Sequence, residues 1–96
     1  MTAYSTQETS EQQELNRVFW HSRRGMLELD KLLVPFAQMA YPQLTSTDQA
    51  TYRELLACED TELLAWLTGL AKPDSSRLQH MVTLVRHNAR PVPPVS

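Results

Sequence analysis

The chain has 96 residues, of which 42% are hydrophobic and 21% charged, which is enough for one domain with one hydrophobic core. Its formal net charge of -2 argues against the basic field expected of a nucleic-acid-binding protein. The presence of only two glycines favours helices over a turn-rich β fold. The sequence contains no run of about 18 apolar residues, so a membrane-spanning helix is not predicted.

The first predicted elements are a polar tail and a short helix. Residues 1–9 are small, polar and aperiodic, which predicts a disordered N-terminal tail. Ser10 and Gln13 have the spacing of a capping box, so the first helix is predicted from Ser10 to about Ser22. Gly25 is expected to separate this helix from the next one, because glycine is poor in a helix interior and adopts positive φ freely.

A second helix is predicted from Met26 to Tyr41. Pro35 lies inside it and removes one main-chain hydrogen bond, so a kink is expected there, although the apolar periodicity continues beyond it. Residues with capping chemistry predict where three further helices begin, namely Thr45, Asp60, and either Asp74 or Ser75. Residues 90–96 contain three prolines and are predicted to form an extended, mobile tail.

Each predicted helix carries one apolar stripe at helical spacing. This pattern predicts an all-α fold, a compact single-domain bundle of five short helices over residues 10–89. The predicted core residues are Leu15, Val18, Phe19, Met26, Leu29, Leu33, Phe36, Ala40, Tyr52, Leu55, Leu56, Leu63, Trp66, Leu67, Leu70, Leu78, Met81, Val82 and Val85.

The sequence predicts no catalytic residue, bound metal or cofactor. Glu28 and Asp30 would point about 200° apart on a helix, so they cannot act together on one substrate. The three histidines lack the spacing of zinc ligands, and no nearby histidine would activate Cys58 as a nucleophile. Because Cys58 is the only cysteine, an internal disulfide is excluded, which fits a reducing cytosol. A small hydrolase is therefore not supported.

Arg23, Arg24 and Gly25 are the strongest candidates for binding. A residue without a side chain lets another backbone or a planar ligand approach, and the flanking guanidinium groups can pair with carboxylate or phosphate. Arg24 is expected to pair with Glu28 one helical turn later. Trp20 either packs on the second helix or serves as an exposed aromatic anchor beside the arginines, and the sequence leaves both alternatives open.

The same region supports a hypothesis from another class, a small helical nucleic-acid-binding or antitoxin-type module. Its basic residues would be Arg17, Arg23, Arg24 and Lys31. The net negative charge and the lack of a second basic face argue against this hypothesis.

A set of residues over positions 20–36 resembles a known family signature in order and spacing, namely Trp20, Arg23, Arg24, Gly25, Met26, Glu28, Leu29, Asp30, Pro35 and Phe36. It is similar to that of the bacterial succinate dehydrogenase flavinylation factors, the counterparts of the mitochondrial succinate dehydrogenase assembly factor 2. Further matches are Leu55, Leu56, Cys58, Glu59 and Asp60, then Leu63, Trp66 and Leu67, then Lys72 and Pro73. The resemblance spans roughly residues 15–87.

This resemblance implies a five-helix assembly factor and not an enzyme. Its expected partners are the flavoprotein subunits of succinate dehydrogenase and of fumarate reductase. The client is whichever of these subunits the factor binds. The factor would promote covalent attachment of FAD to a histidine of the client, so that FAD belongs to the client and no cofactor stays bound to the factor. We also expect a cytoplasmic protein, monomeric when free, without membrane insertion or bound nucleic acid.

In the family, the Arg-Gly pair and the following Glu carry the client interaction, which implies this role for Arg24, Gly25 and Glu28. We expect four neighbours to belong to the same client-binding site, namely Trp20, Arg23, Met26 and Asp30.

Overall fold

A computed structural model describes residues 10–89, and the predicted tails over residues 1–9 and 90–96 lie outside this range. The α-helices are α1 Ser10–Ser22, α2 Leu27–Pro35, α3 Ser46–Leu56, α4 Asp60–Leu67 and α5 Ser76–Ala89. No strand occurs in the described range, and the prediction of an all-α fold with five helices is confirmed. No helix within residues 10–89 combines the length and the apolar content needed to cross a bilayer.

Between α2 and α3 the chain stays helical but changes its hydrogen-bonding pattern. Residues Phe36–Ala40 form a π-helical turn, in which the Tyr41 N–H donates to the Phe36 carbonyl, and Tyr41–Gln43 form a 3-10 turn. Pro35 immediately precedes the π turn and has no N–H to donate to the preceding helical turn. The predicted continuation past Pro35 is confirmed, but two turns of different pitch replace the single kinked helix.

Two helices begin at side-chain caps that the sequence predicted. Thr45 Oγ1 accepts a hydrogen bond of 3.1 Å from the N–H of Asp48, at the start of α3. Ser75 Oγ accepts one of 3.3 Å from the N–H of Leu78, at the start of α5. Each bond satisfies a main-chain donor that the first helical turn leaves free. The structure therefore selects Ser75 over Asp74.

The predicted cap of α4 is wrong by one residue. Asp60 is the first residue of α4, and Glu59 is its N-cap. The Glu59 N–H donates to Glu62 Oε1 at 3.2 Å, which is half of a capping box. Asp60 instead directs its carboxylate to Arg24.

The buried core combines the apolar stripes of all five helices. Its members are Val18, Leu29, Leu33, Phe36, Ala37, Tyr41, Tyr52, Leu55, Leu56, Leu63, Leu67, Met81, Val82 and Val85. Trp66 is half-buried and packs against this core. Leu70 was wrongly predicted to belong to it, because α4 ends at Leu67 and Leu70 lies in the following turn, 83% exposed.

Two buried hydroxyl groups fix the C-terminal end of α1 against α3. Ser22 Oγ donates to the Val18 carbonyl at 2.8 Å and lies 2.7 Å from the Tyr52 hydroxyl, with which it shares a hydrogen bond. The single hydrogen of the Tyr52 hydroxyl is divided between Ser22 Oγ and the Leu33 carbonyl of α2, which lies 3.3 Å away. Burial raises the pKa of Tyr52, so the phenol remains a neutral donor. These bonds place the loop that follows Ser22 beside α2 and α3.

Candidate protein-binding surface

Residues 23–26 connect α1 to α2 and form the centre of the candidate surface. Gly25 has a φ of 81°, in the left-handed region that glycine adopts without the steric cost of a Cβ. Apart from its two chain neighbours, a Cβ added at Gly25 would meet no atom within 4 Å, so the space outside the loop is open. The predicted glycine joint is therefore confirmed, and another molecule can approach the main chain at this point.

Arg24 points into the protein, and its side chain is only 11% exposed. Its guanidinium donates to Asp60 Oδ1 at 2.7 Å and to the carbonyl oxygens of Leu56 at 2.8 Å, Cys58 at 2.9 Å and His21 at 3.1 Å. The predicted pair between Arg24 and Glu28 is wrong, because these acceptors occupy the guanidinium. Arg24 thus ties the end of α1 to the end of α3 and to the start of α4.

Arg23 points the other way and lies on the surface with Trp20. Its Cζ atom is 5.6 Å from the centroid of the Trp20 ring, which is a cation–π distance. Trp20 is 62% exposed and makes an edge-to-face contact with Phe19, with ring centroids 5.1 Å apart. The structure therefore supports the exposed-anchor alternative for Trp20. Leu27, which sequence reasoning did not select, adds a further apolar side chain that is 68% exposed.

The other predicted residues divide between the surface and its support. Glu28 is exposed in the first turn of α2. Met26 is half-buried and packs on the core. Asp30 is also half-buried, and its Oδ1 accepts a hydrogen bond of 2.7 Å from the main-chain N–H of Arg24. The exposed members of the predicted set are Trp20, Arg23, Gly25 and Glu28; the supporting members are Arg24, Met26 and Asp30.

Asp60 is a residue of this region that sequence reasoning missed. The sequence pattern accounts for Asp60 as a helix cap, and this local role gives no indication that its carboxylate contacts a distant residue. Its partner Arg24 lies 36 residues earlier in the chain. No local pattern connects two residues at that separation, so only the folded chain reveals the pair.

The potential nucleophile and the potential metal ligands of residues 10–89 can be assessed directly. Burial raises the pKa of the Cys58 thiol, with a smaller contribution from Glu62, which favours the protonated form over the nucleophilic thiolate. Within residues 10–89, no three His, Cys, Asp or Glu side chains come together as metal ligands. The exposed indole and guanidinium are instead residue types enriched at protein–protein hot spots.

The basic residues of the nucleic-acid hypothesis have different surroundings. Arg24 is bonded internally, and Arg23 lies over the Trp20 ring. Arg17 lines a cleft of about 490 Å³ that also contains Glu14 and Arg53, which form an ion pair of 2.8 Å. Because the Arg24 guanidinium is bonded internally, it is not available to bind a phosphate, and the basic set of that hypothesis loses this member.

Comparison with known proteins places this chain in a family. Residues 16–89 match the family model described as flavinator of succinate dehydrogenase. The chain belongs to this family. A Pseudomonas putida protein named FAD assembly factor SdhE is 51% identical over 81 residues, covering 84% of this chain and 96% of that protein.

Two further relatives carry the same name. The Pseudomonas aeruginosa protein is 46% identical over 82 residues, covering 85% of this chain and 98% of its own. The Mannheimia succiniciproducens protein is 46% identical over 69 residues, covering 72% of this chain and 80% of its own. The predicted family resemblance is confirmed, and the family match includes every residue of the candidate surface.

Proposed function

We propose that this protein binds the flavoprotein subunit of succinate dehydrogenase and promotes covalent attachment of FAD to it. Membership of the flavinator family supports this role. The observation that carries the choice of surface is the exposed pair of Arg23 and Trp20 beside the open main chain at Gly25. The indole offers rigid contact area and the guanidinium can pair with a carboxylate of the client. The same surface would bind the flavoprotein subunit of fumarate reductase.

The protein acts on its client by binding, and the client with its flavin performs the bond-forming chemistry. A factor that binds best to the client conformation in which the flavin lies against its target histidine raises the population of that conformation. This mechanism requires no catalytic side chain and no FAD bound stably by the factor. The factor works in the cytoplasm and is a monomer when free.

In-gel flavin fluorescence of the client subunit tests the function directly. The subunit is compared from matched cells with and without this protein. We expect covalent flavin to fall strongly when the protein is absent and to return when it is supplied from a plasmid. Equal flavin fluorescence in both strains would overturn the proposed function.

Arg23→Ala and Trp20→Ala test the surface in a binding measurement with purified client. We expect each to weaken the complex by about tenfold or more, because truncating a hot-spot arginine or tryptophan typically costs at least 1–2 kcal/mol. Arg77→Ala is the control, because Arg77 is an exposed arginine of α5 that pairs with Glu54. The surface is assigned wrongly if Arg77→Ala weakens the complex as much as Arg23→Ala does.

A further inference from the structure

Arg24 anchors the loop at residues 23–26 through two groups, its guanidinium and its main-chain N–H. At the side-chain end, Asp60 provides the only charged acceptor among residues 10–89, at 2.7 Å, while the other acceptors are main-chain carbonyls. At the main-chain end, Asp30 accepts the Arg24 N–H at 2.7 Å. Two carboxylates from different helices, α4 and α2, thus fix the residue between Arg23 and Gly25.

The side-chain contacts also complete the ends of two helices. Leu56 is the last residue of α3, where carbonyl oxygens lack helical donors, and Arg24 donates to its carbonyl. Asp60 is the first residue of α4, where a carboxylate is favoured by the helix dipole. The Arg24 side chain is 11% exposed and that of Asp60 is 37% exposed. Without Asp60, the largely buried guanidinium of Arg24 would keep only main-chain carbonyls as acceptors and would lose its direct ion-pair partner, which is costly for a buried cation.

We propose that Asp60 and Asp30 are positioning residues of the client-binding surface. By holding Arg24 inward, they oblige Arg23 to lie outward over Trp20 and keep the main chain at Gly25 open. Arg24 then acts on the client through the loop and not by direct contact. This inference rests on the proposed function and deepens it, since it assigns two roles at the same surface.

Paired variants at Asp60 and Asp30 test the proposal by affinity for the purified client. Asp60→Ala removes the charge and the acceptor, and we expect about tenfold weaker binding. Asp60→Asn keeps an acceptor oxygen for the Arg24 Nε–H, so its affinity should lie between wild type and Asp60→Ala. Asp30→Asn keeps the acceptor of the main-chain bond and should bind nearly as wild type, whereas Asp30→Ala should bind about fivefold more weakly.

Hydrogen exchange of the Arg24 amide distinguishes a local change in the loop from a loss of overall stability. This N–H is bonded to Asp30, so Asp30→Ala should increase its exchange rate while core amides, such as that of Leu33, keep theirs. Asp60→Ala should have the same local effect, because it releases the side-chain end. Exchange that rises equally at Arg24 and in the core would overturn the positioning role.

Glu54→Ala is the matched control, since it also removes an ion pair between two helices. Glu54 of α3 pairs with Arg77 of α5 at 2.8 Å. Its client affinity should stay within about twofold of wild type. Unchanged affinity in Asp60→Ala, or an equal loss in Glu54→Ala, would overturn the inference. If Arg23→Ala still weakens binding in that case, the proposed function stands and only this inference falls. If wild-type protein does not bind the client, both fall.

Discussion

Arg23 and Arg24 are adjacent residues of the same type, and their surroundings assign them different tasks. Arg24 has four hydrogen-bond acceptors within the protein and is 11% exposed, so it stabilises the loop. Arg23 has an aromatic face at 5.6 Å and is exposed to solvent, so it can bind another molecule. Among the predicted site residues, Arg23 is therefore our choice for the decisive arginine contact with the client.

Gly25→Ala tests whether the open main chain contacts the client. Alanine at a φ of 81° should lower the free energy of unfolding by about 1–2 kcal/mol, measured by urea denaturation. Its methyl group would meet nothing in this protein but would obstruct a closely packed client. We therefore expect client affinity to fall by about tenfold as well.

Gly69→Ala is the control for that experiment, because Gly69 also has positive φ, at 85°. Only the end of the flexible Arg86 side chain lies close to an added Cβ there, at 3.2 Å, and it can move away. The two variants should lose similar stability, but Gly69→Ala should keep wild-type client affinity. Normal client affinity in both variants would show that Gly25 serves only the turn.

At the scale of elements, a second polar cluster connects α1, the 3-10 turn and α3. The Tyr41 hydroxyl donates to Glu14 Oε2 at 2.6 Å, and Arg53 donates to the same carboxylate oxygen at 2.8 Å and to the Tyr41 hydroxyl at 2.7 Å. Burial, and next the bond to Glu14, raise the pKa of Tyr41 to about 12. The cluster fixes α1 near its middle, while Ser22 and Tyr52 fix its end.

This cluster predicts a loss of stability at high pH. The pKa of the Tyr41 phenol is about 10 in the unfolded chain and is raised to about 12 in the folded protein, so between these values the unfolded state holds fewer protons. The contribution is complete below pH 10, and the free energy of unfolding should fall by up to about 1.4 kcal/mol per pH unit above it. Urea denaturation at several pH values between 9 and 12 measures this slope.

Tyr41→Phe should flatten that slope, since it removes the group that titrates. Tyr52 also has a raised pKa, so part of the dependence should remain in this variant. Identical slopes for wild type and Tyr41→Phe would contradict the assigned cause.

At the scale of the whole molecule, the sequence predicted what depends on local patterns. The five helices, their apolar stripes and the Thr45 cap follow from residues within a few positions of each other. The π turn after Pro35 was missed, because a proline in a helical pattern is compatible with more than one local geometry. The role of Arg24 was also missed, because its partner Asp60 is 36 residues away and becomes its neighbour only in the fold.

A final prediction concerns the charge of the whole molecule and the nucleic-acid hypothesis. The net charge is -2, and Arg24 uses its guanidinium inside the protein, so Arg17, Arg23 and Lys31 are the members of the basic set that remain to neutralise DNA phosphates together. Each neutralised phosphate steepens the fall of affinity with salt, with a slope of about 0.9 per contact in a double-logarithmic plot. We therefore expect no saturable binding of a labelled 20-base-pair duplex at micromolar protein concentration, even at low salt.

Fluorescence anisotropy between about 50 and 200 mM salt measures this directly, since phosphate contacts lose affinity strongly over that range. Arg17→Ala and Lys31→Ala provide the matched variants, because both residues are exposed and belong to the basic set of that hypothesis. The basic region would be assigned to nucleic-acid binding if the duplex bound with submicromolar affinity, if this affinity fell steeply with salt, and if both variants reduced it. Client binding in the same buffers provides the positive control, and it should depend on Arg23 and Trp20 instead.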